Sequence, residues 1–308
     1  HPVAHSFPTR RSSDLLGQII PPSIVLVLIG DIVGVPVGDL FMGAVLPGFL
    51  LVGLYIVYIL LAAFFRPKNA PAVPKSELAA LTPAILFKRI MKALFPPLFL
   101  MVAVLGSIFA GIASPTEAAA VGAVGATALT IANRKFTLKI LQEVMDSTMQ
   151  LTCMVFIILV GAAAFGLVFR GLGGDEIVRE FLGGIAEDHS KWAVLAIVMG
   201  IIFIIGFFLD FIEITFIHVP VLAPIMIEFG FDPAWFCILI AVNLQTSFMT
   251  PPFGFSLFYL KAVTPPEIST GDIYRGIIPF VFFQLIGLLI VVFFPILVTW
   301  LPSVVFGR

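Results

Sequence analysis

Asn243-Leu-Gln-Thr-Ser-Phe-Met-Thr-Pro-Pro-Phe-Gly254 sits in the middle of a segment, 234–263, that is apolar at both ends. Apolar runs of that length can cross a hydrocarbon core roughly 30 Å thick. Pro251 and Pro252 lack amide donors, and their rings clash with the preceding turn, so a regular helix does not pass through them. Carbonyls freed at Met249 and Thr250 would have no partner in lipid. Unwound backbone at membrane depth is stable only where it lines a polar cavity or is buried in protein. Asn243, Gln245, Thr246, Ser247 and Thr250 bring side-chain oxygens to the same break. Together, hydroxyl and carbonyl oxygens suit a small hard cation such as Na+. The same residues also allow a second reading, a proline kink whose polar groups are satisfied by helix contacts.

The whole chain shares this character. Of its 308 residues 60% are hydrophobic and only 11% charged, with a mean hydropathy of +1.14. A soluble domain keeps roughly a quarter of its residues charged, so this chain lacks the polar surface needed to face water. The apolar runs are long and continuous rather than alternating, which selects transmembrane helices over barrel strands. The expected class is all-α, a polytopic helical bundle. A net charge of −1 leaves no basic footprint for nucleic acid. Cys153 and Cys237 lie inside apolar runs without metal-like spacing and read as small buried hydrophobes.

Further spans are expected at about 16–35, 40–65, 94–113, 117–133, 148–168, 193–208 and 277–300. The stretch 66–92 carries Arg66, Lys68, Lys75, Lys88, Arg89 and Lys92 against Glu77, and 134–139 carries Arg134, Lys135 and Lys139. Both should face the cytoplasm, where Lys and Arg collect. The loop 170–192 is acidic, and the number of spans between the loops puts it on the opposite side. His1 to Leu15, HPVAHSFPTRRSSDL, is polar and aperiodic and lacks the apolar core of a signal peptide. It resembles translated adapter sequence, so a non-native or disordered leader is expected at 1–15, on an N-terminally truncated fragment.

A second break occurs at Gly17-Gln-Ile-Ile-Pro-Pro-Ser23. It repeats the pattern of polar residue, Pro21-Pro22 and small residue within an apolar run. Paired interrupted helices are the usual pointer to a binding site between inverted repeats. Asp210 is a carboxylate in an apolar neighbourhood, which is costly and usually functional; a helix end near the interface is its alternative. Glu213 shares a helical face with it. His218 reads as a satisfied interhelical donor in preference to a proton relay. Ser114-Pro-Thr-Glu117 has the form of a helix start with a reciprocal cap.

Five motifs in this order resemble the large (M) permease subunit of TRAP transporters, the DctM-like family: LGQIIPPSI at 16–24, LFMGAVLPG at 40–48, ASPTEAAAVGA at 113–123, FFLD at 207–210 and NLQTSFMTPPFGFSLFYLKAV at 243–263. The likeness covers about residues 16–302. It implies one membrane domain over 16–302: the end of a first repeat at 16–65, a cytoplasmic linker at 66–93, and the remaining spans with the second repeat at 94–302. It further implies an elevator-type transporter with inverted repeats, re-entrant hairpins and broken helices in the bacterial inner membrane. The activity implied is Na+-coupled symport of carboxylates, such as C4-dicarboxylates or related organic acids. Its partners would be a small membrane subunit (Q type), a periplasmic substrate-binding protein (P type) and the lipid bilayer. No cofactor is implied beyond Na+ as coupling ion. By motif position, Pro21, Pro22 and Ser23 fall in the first broken helix. Thr246, Ser247, Thr250, Pro251, Pro252 and Gly254 fall in the second, and Asp210 falls at the tip of the second hairpin. Thr246, Ser247 and Thr250 are the candidate Na+ ligands. The Gly-Ser-Ser-rich motif of the family's first hairpin is not in this chain, and Gln18 and FIEITFIHVP depart from the commonest dicarboxylate pattern. An intramembrane enzyme using Asp210, Glu213 or His218, and a scaffold that does not transport, are the competing readings.

Overall fold

The computed structural model describes residues 21–65, 83–250, 257, 261, 264 and 269–307. Among them every regular element is an α-helix: α1 (Ile24–Val33), α2 (Val37–Phe65), α3 (Pro83–Phe109), α4 (Pro115–Ala132), α5 (Leu138–Gly171), α6 (Gly174–Asp188), α7 (Lys191–Ile205), α8 (Phe211–Ile217), α9 (Val219–Glu228), α10 (Pro233–Met249), α11 (Thr270–Phe293) and α12 (Ile296–Phe306). Four are long and apolar enough to cross a membrane: Val37–Phe65, Ile85–Phe109, Leu138–Gly171 and Thr270–Phe293. The chain is therefore a multi-pass helical membrane protein. At 1.5 Å per residue the 34-residue α5 is roughly 50 Å long, well beyond the hydrocarbon core. Its first turns, where exposed Lys139 and Glu143 pair at 3.9 Å, are the part that can project into water.

Contacts divide the chain into two compact units, His1–Leu51 with Gln150–Arg308, and Val52–Met149. In the second unit α3 packs on α4, and glycines make the approach close. A Cβ at Gly125 would overlap the Leu100 side chain, and one at Gly122 would meet Val104 at 3.3 Å. Small residues let helix backbones approach where lipid gives no hydrophobic drive. Ser114 starts α4 as expected: its hydroxyl accepts from Glu117 N at 3.3 Å, and the Glu117 carboxylate accepts from Ser114 N at 2.7 Å.

The first unit is built around α10, which packs against α1, α7, α9, α11 and α12. Every residue from Trp235 to Ser247 is buried. Two aromatic side chains set the level at which these helices begin and end. Trp235, near the start of α10, donates from Nε1 to Val291 O near the end of α11 at 3.0 Å. It also lies edge-on to Trp192 at the start of α7, with ring centroids 6.3 Å apart. So α7 and α10 enter from one side and run parallel, while α11 runs back to that side.

That common level fixes what the hairpin does. The 15 residues of α7 span roughly 22 Å, too short for a 30 Å core. The chain then turns through 206–210 and returns by α8 and α9, which meet at a 56° bend. Phe231, just past α9, stacks on Trp235 at 5.6 Å, back at the entry level. The segment 191–231 thus forms a helical hairpin whose two ends lie at the same level. Pro220, which has no amide donor, sits at the bend.

Four expectations are corrected. The acidic loop 170–192 contains the helix α6, whose period the charged residues had masked. The span at 277–300 is two helices, because the chain breaks between Phe293 and Ile296 at Phe294-Pro295. The linker expected to end at residue 93 already holds the first turns of α3. Cys153 is exposed on α5 rather than buried, whereas Cys237 is buried as expected.

Candidate functional site

Thr250 is where the sequence places the break, and α10 ends there. The residue before a proline is pushed out of the helical region, and Thr250 is extended, with φ −97° and ψ 132°. Its N–H turns back to Ser247 O at 3.0 Å, and its hydroxyl donates to Thr246 O at 2.7 Å. Pro251, Pro252 and Gly254 lie outside the described residues.

The polar residues of the last turns divide between two tasks. Asn243 Nδ2 donates to Met199 O at 2.7 Å, and one turn on Ser247 Oγ lies 3.2 Å from Phe203 O and 3.1 Å from Asn243 O. The bonds to Met199 O and Phe203 O rivet α10 to α7 in parallel register. The second partner of α10 is α11, whose buried Gln284 reaches Val242 O at 3.5 Å. Thr246 Oγ1 instead donates within its own helix, to Val242 O at 3.0 Å. Gln245 is fully buried. The Asn243 Nδ2 group thus serves helix packing.

The hydroxyls retain another capacity. Each of Thr246, Ser247 and Thr250 spends its single proton on a carbonyl, which leaves lone pairs on the same oxygen. A hydroxyl so oriented can still face a cation.

The hairpin tip comes up against this end of α10. Gly206 closes α7, and a Cβ there would overlap the Ser247 side chain, so only glycine permits the approach. Gly206, Leu209, Phe211 and Ile214 from the hairpin enclose a cleft with Leu244, Ser247 and Phe248 of α10. The cleft has room for about one water-sized occupant.

Asp210 stands at the tip, half-buried, as the N-cap of α8. Its Oδ1 accepts from Phe211 N at 2.8 Å, and Glu213 Oε2 accepts from Asp210 N at 3.3 Å. The helix-end alternative thus describes its local role, and Glu213 is the reciprocal half of the cap. His218 Nδ1 and Thr215 Oγ1 are buried without a hydrogen-bond partner among the described residues, so the satisfied-donor reading of His218 finds no support at Nδ1. The tip glycine, Gly206, is a site residue that sequence reasoning missed; its position immediately before FFLD was the available signal.

In the first break, Pro21 is buried and Pro22 exposed. Ser23 caps α1, its hydroxyl accepting from Leu26 N at 3.5 Å. The ten-residue α1 is a half-helix of roughly 15 Å, ended by Gly34 at φ 78°. It packs against α8, α9 and α10. Both short helices bordering the proline breaks, α1 and α10, therefore belong to the packed core of the hairpin. Among the described residues no three His, Cys, Asp or Glu cluster; the oxygens at the tip come from hydroxyls, backbone and the capping carboxylates.

Residues 9–297 match the family described as "Tripartite ATP-independent periplasmic transporter, DctM component". The chain is 34% identical over 290 residues to the C4-dicarboxylate TRAP transporter large permease protein DctM of Pseudomonas aeruginosa, covering 94% of this chain and 65% of that protein. It is 28% identical over 301 residues to the sialic acid TRAP transporter permease SiaT of Haemophilus influenzae, covering 95% of this chain and 46% of the relative. The ectoine TRAP transporter large permease TeaC of Halomonas elongata is 28% identical over 297 residues, covering 96% and 66% respectively. The chain thus spans two-thirds or less of the length of these curated relatives. With the family match over nearly the whole chain and a membrane-spanning helical fold, the chain belongs to the DctM component family of tripartite ATP-independent periplasmic transporters, a family of inner-membrane permease subunits and not of enzymes.

Proposed function

We propose that this chain forms the site-bearing part of a secondary transporter that imports an organic carboxylate together with Na+. The observation that carries the reading is the meeting of hairpin tip and broken helix at Gly206 and Ser247, around a cleft of about one water's size. A bare Na+ is close to water in size and takes neutral and anionic oxygens. Ser247 lines the cleft with its hydroxyl, Thr246 and Thr250 carry hydroxyls on the neighbouring turn of α10, and the C-terminal end of α10 adds carbonyls that bear the negative end of the helix dipole. The carboxylate falls to the opposite kind of helix end. The N-terminus of α1, behind Pro21, Pro22 and Ser23, offers free amides and partial positive charge without a buried arginine. Asp210 contributes negative charge at the tip beside the cation.

Coupling follows when ion and substrate together favour the form of the hairpin that can move. The relatives' names support a carboxylate class, since C4-dicarboxylates and sialic acid share that group. Which acid is carried is left to a periplasmic binding protein that delivers it. A Q-type small membrane subunit completes the complex.

The test is uptake of radiolabelled succinate and sialic acid into proteoliposomes, with and without a Na+ gradient. It uses the permease at the full length of its relatives, with its small subunit and binding protein. Asp210→Asn is a clean probe, because Asn caps helices as well as Asp while removing the charge. Thr250→Val keeps the side-chain shape and removes the hydroxyl. Na+-driven uptake that falls in both variants, with protein levels unchanged, supports the site. Uptake indifferent to Na+ and to both substitutions removes the ion site, and absence of uptake with every acid tried favours a scaffold that does not transport.

A further inference from the structure

The returning arm of the hairpin carries buried polar atoms that the cleft does not use. Thr215 of α8 is completely buried, and its Oγ1 has no hydrogen-bond partner among the described residues. His218, where α8 gives way to α9, is partly exposed, yet its Nδ1 is buried and has no partner either. Inside a helix a threonine hydroxyl commonly turns back to the carbonyl four residues before it. Thr127, Thr130, Thr148, Thr246 and Thr299 all do so here. Thr215 does not take Phe211 O, so its hydroxyl is directed elsewhere.

The backbone is incomplete at the same place. His218 N donates to Ile214 O at 2.9 Å, and past the bend Leu222 N donates to His218 O at 2.9 Å. Between those rungs the next pair would be Val219 N and Thr215 O, and among the described residues that bond is missing. Pro220 has no N–H for Phe216 O, and its ring opens the turn before it. The two helices meet there at 56°. Val219 is fully buried, and buried backbone groups are almost always paired, either with protein or with ordered water.

The helices on which α8 packs offer no side chain for the gap. These are α1 and α9. The polar side chain of α1 is Asp31, which is exposed, and that of α9 is Glu228, which pairs with Arg179 at 3.2 Å.

We propose that one water molecule completes the bend. It accepts from Val219 N–H and from the Thr215 hydroxyl, and it donates to Thr215 O and to His218 Nδ1, with the ring proton on Nε2. A buried water makes about 2–4 such bonds, and insertion of a water into the helix ladder is a known cause of sharp bends. The water stands in for the missing rung and keeps α8 joined to α9 at a fixed angle. Phe211, Ile214, Thr215 and His218 follow the spacing of one helix face, and the first two line the cleft. The water site therefore lies roughly 6–10 Å along α8 from the cleft, at 1.5 Å per residue. It sets the direction in which the tip presents Asp210. This inference does not rest on the identity of the ion or the substrate.

The test has two parts, both on the full-length permease with its small subunit. Cryo-electron microscopy in lipid nanodiscs, at a resolution that shows ordered water elsewhere, should reveal a peak about 2.7–3.2 Å from the four named atoms. Absence of that peak, or a direct bond from Val219 N to Thr215 O, overturns the proposal. Unfolding in mixed detergent micelles, titrated with SDS, then reads the side chains. Thr215→Val keeps the shape and removes the hydroxyl. A hydroxyl bonded to water should leave a lower midpoint when lost. A hydroxyl without a partner would leave an equal or higher one, which also overturns the proposal. His218→Asn keeps an acceptor oxygen where Nδ1 stands and should unfold near the parent, whereas His218→Leu should unfold earlier. Equal midpoints for those two variants would exclude the ring nitrogen and overturn the four-bonded site.

Discussion

Gly206→Ala is the substitution for which the structure predicts a sign opposite to that of local propensity. Gly206 has φ −64° and ψ −9°, a conformation that alanine adopts freely. On backbone grounds alone the change should be neutral or stabilising by about 0.4–1 kcal/mol. Its new Cβ would overlap the side chain of Ser247, however, and both partners sit in backbone that cannot easily yield. Overpacking of that kind costs about 1–3 kcal/mol. Ser247→Gly relieves the overlap at its own cost. That cost is about 1 kcal/mol for glycine inside a helix, with roughly 0.6 kcal/mol for the lost interhelical bond to Phe203 O. Additive effects would put the double variant about 2.6–4.6 kcal/mol below the parent. If Gly206 and Ser247 touch, it should instead lie near Ser247→Gly alone, about 1.6 kcal/mol down. Unfolding in mixed detergent micelles, titrated with SDS, measures all four corners of the cycle. Additivity within about 0.5 kcal/mol would refute the contact and remove the packing basis for the cleft.

Two further outcomes follow from the second compact unit. Gly125→Val should separate α3 from α4 and lower thermal stability by roughly 1–3 kcal/mol, because its Cβ falls on Leu100, whereas Gly53→Ala, with nothing within 4 Å, should be tolerated. Ser114→Ala removes the hydroxyl that receives Glu117 N and should cost about 0.5–2 kcal/mol, read as a lower unfolding midpoint with unchanged Na+ dependence of uptake.

The membrane class, most spans and the break at Thr250 were legible because each rests on a strong local cause. Long apolar runs admit few folds, and a residue before proline leaves the helix whatever surrounds it. Ser114 and Glu117 were legible for the same reason, since their cap closes within four residues. What stayed hidden depends on contacts distant in sequence. Asn243 and Ser247 look like cation ligands in a polar stretch, yet their partners are the carbonyls of Met199 and Phe203, 44 residues upstream in each case. Gly206 carries no chemical signal, and its importance comes from what lies against it. Helix α6 was concealed by its charges, which gave the right sign for a loop while its apolar residues kept a helical period. Asp210 was singled out for its charge, and the structure adds a capping duty that explains its presence at a helix start.

The two duties found at the tip need not compete. A bond from Ser247 Oγ to a carbonyl of α7 fixes the oxygen in direction as well as holding the helices together. Register between α7 and α10 is also set one turn earlier, by Asn243 on Met199 O. Ser247 then meets Gly206 at the cleft that both residues line. In the proposed ion site Asp210 supplies the negative charge, and selectivity depends on hydroxyl and carbonyl oxygens already held in place. On this reasoning Asn243 contributes to ion affinity without touching the ion. Asn243→Ser, which removes the amide that binds Met199 O, should weaken Na+ activation more than it weakens the fold.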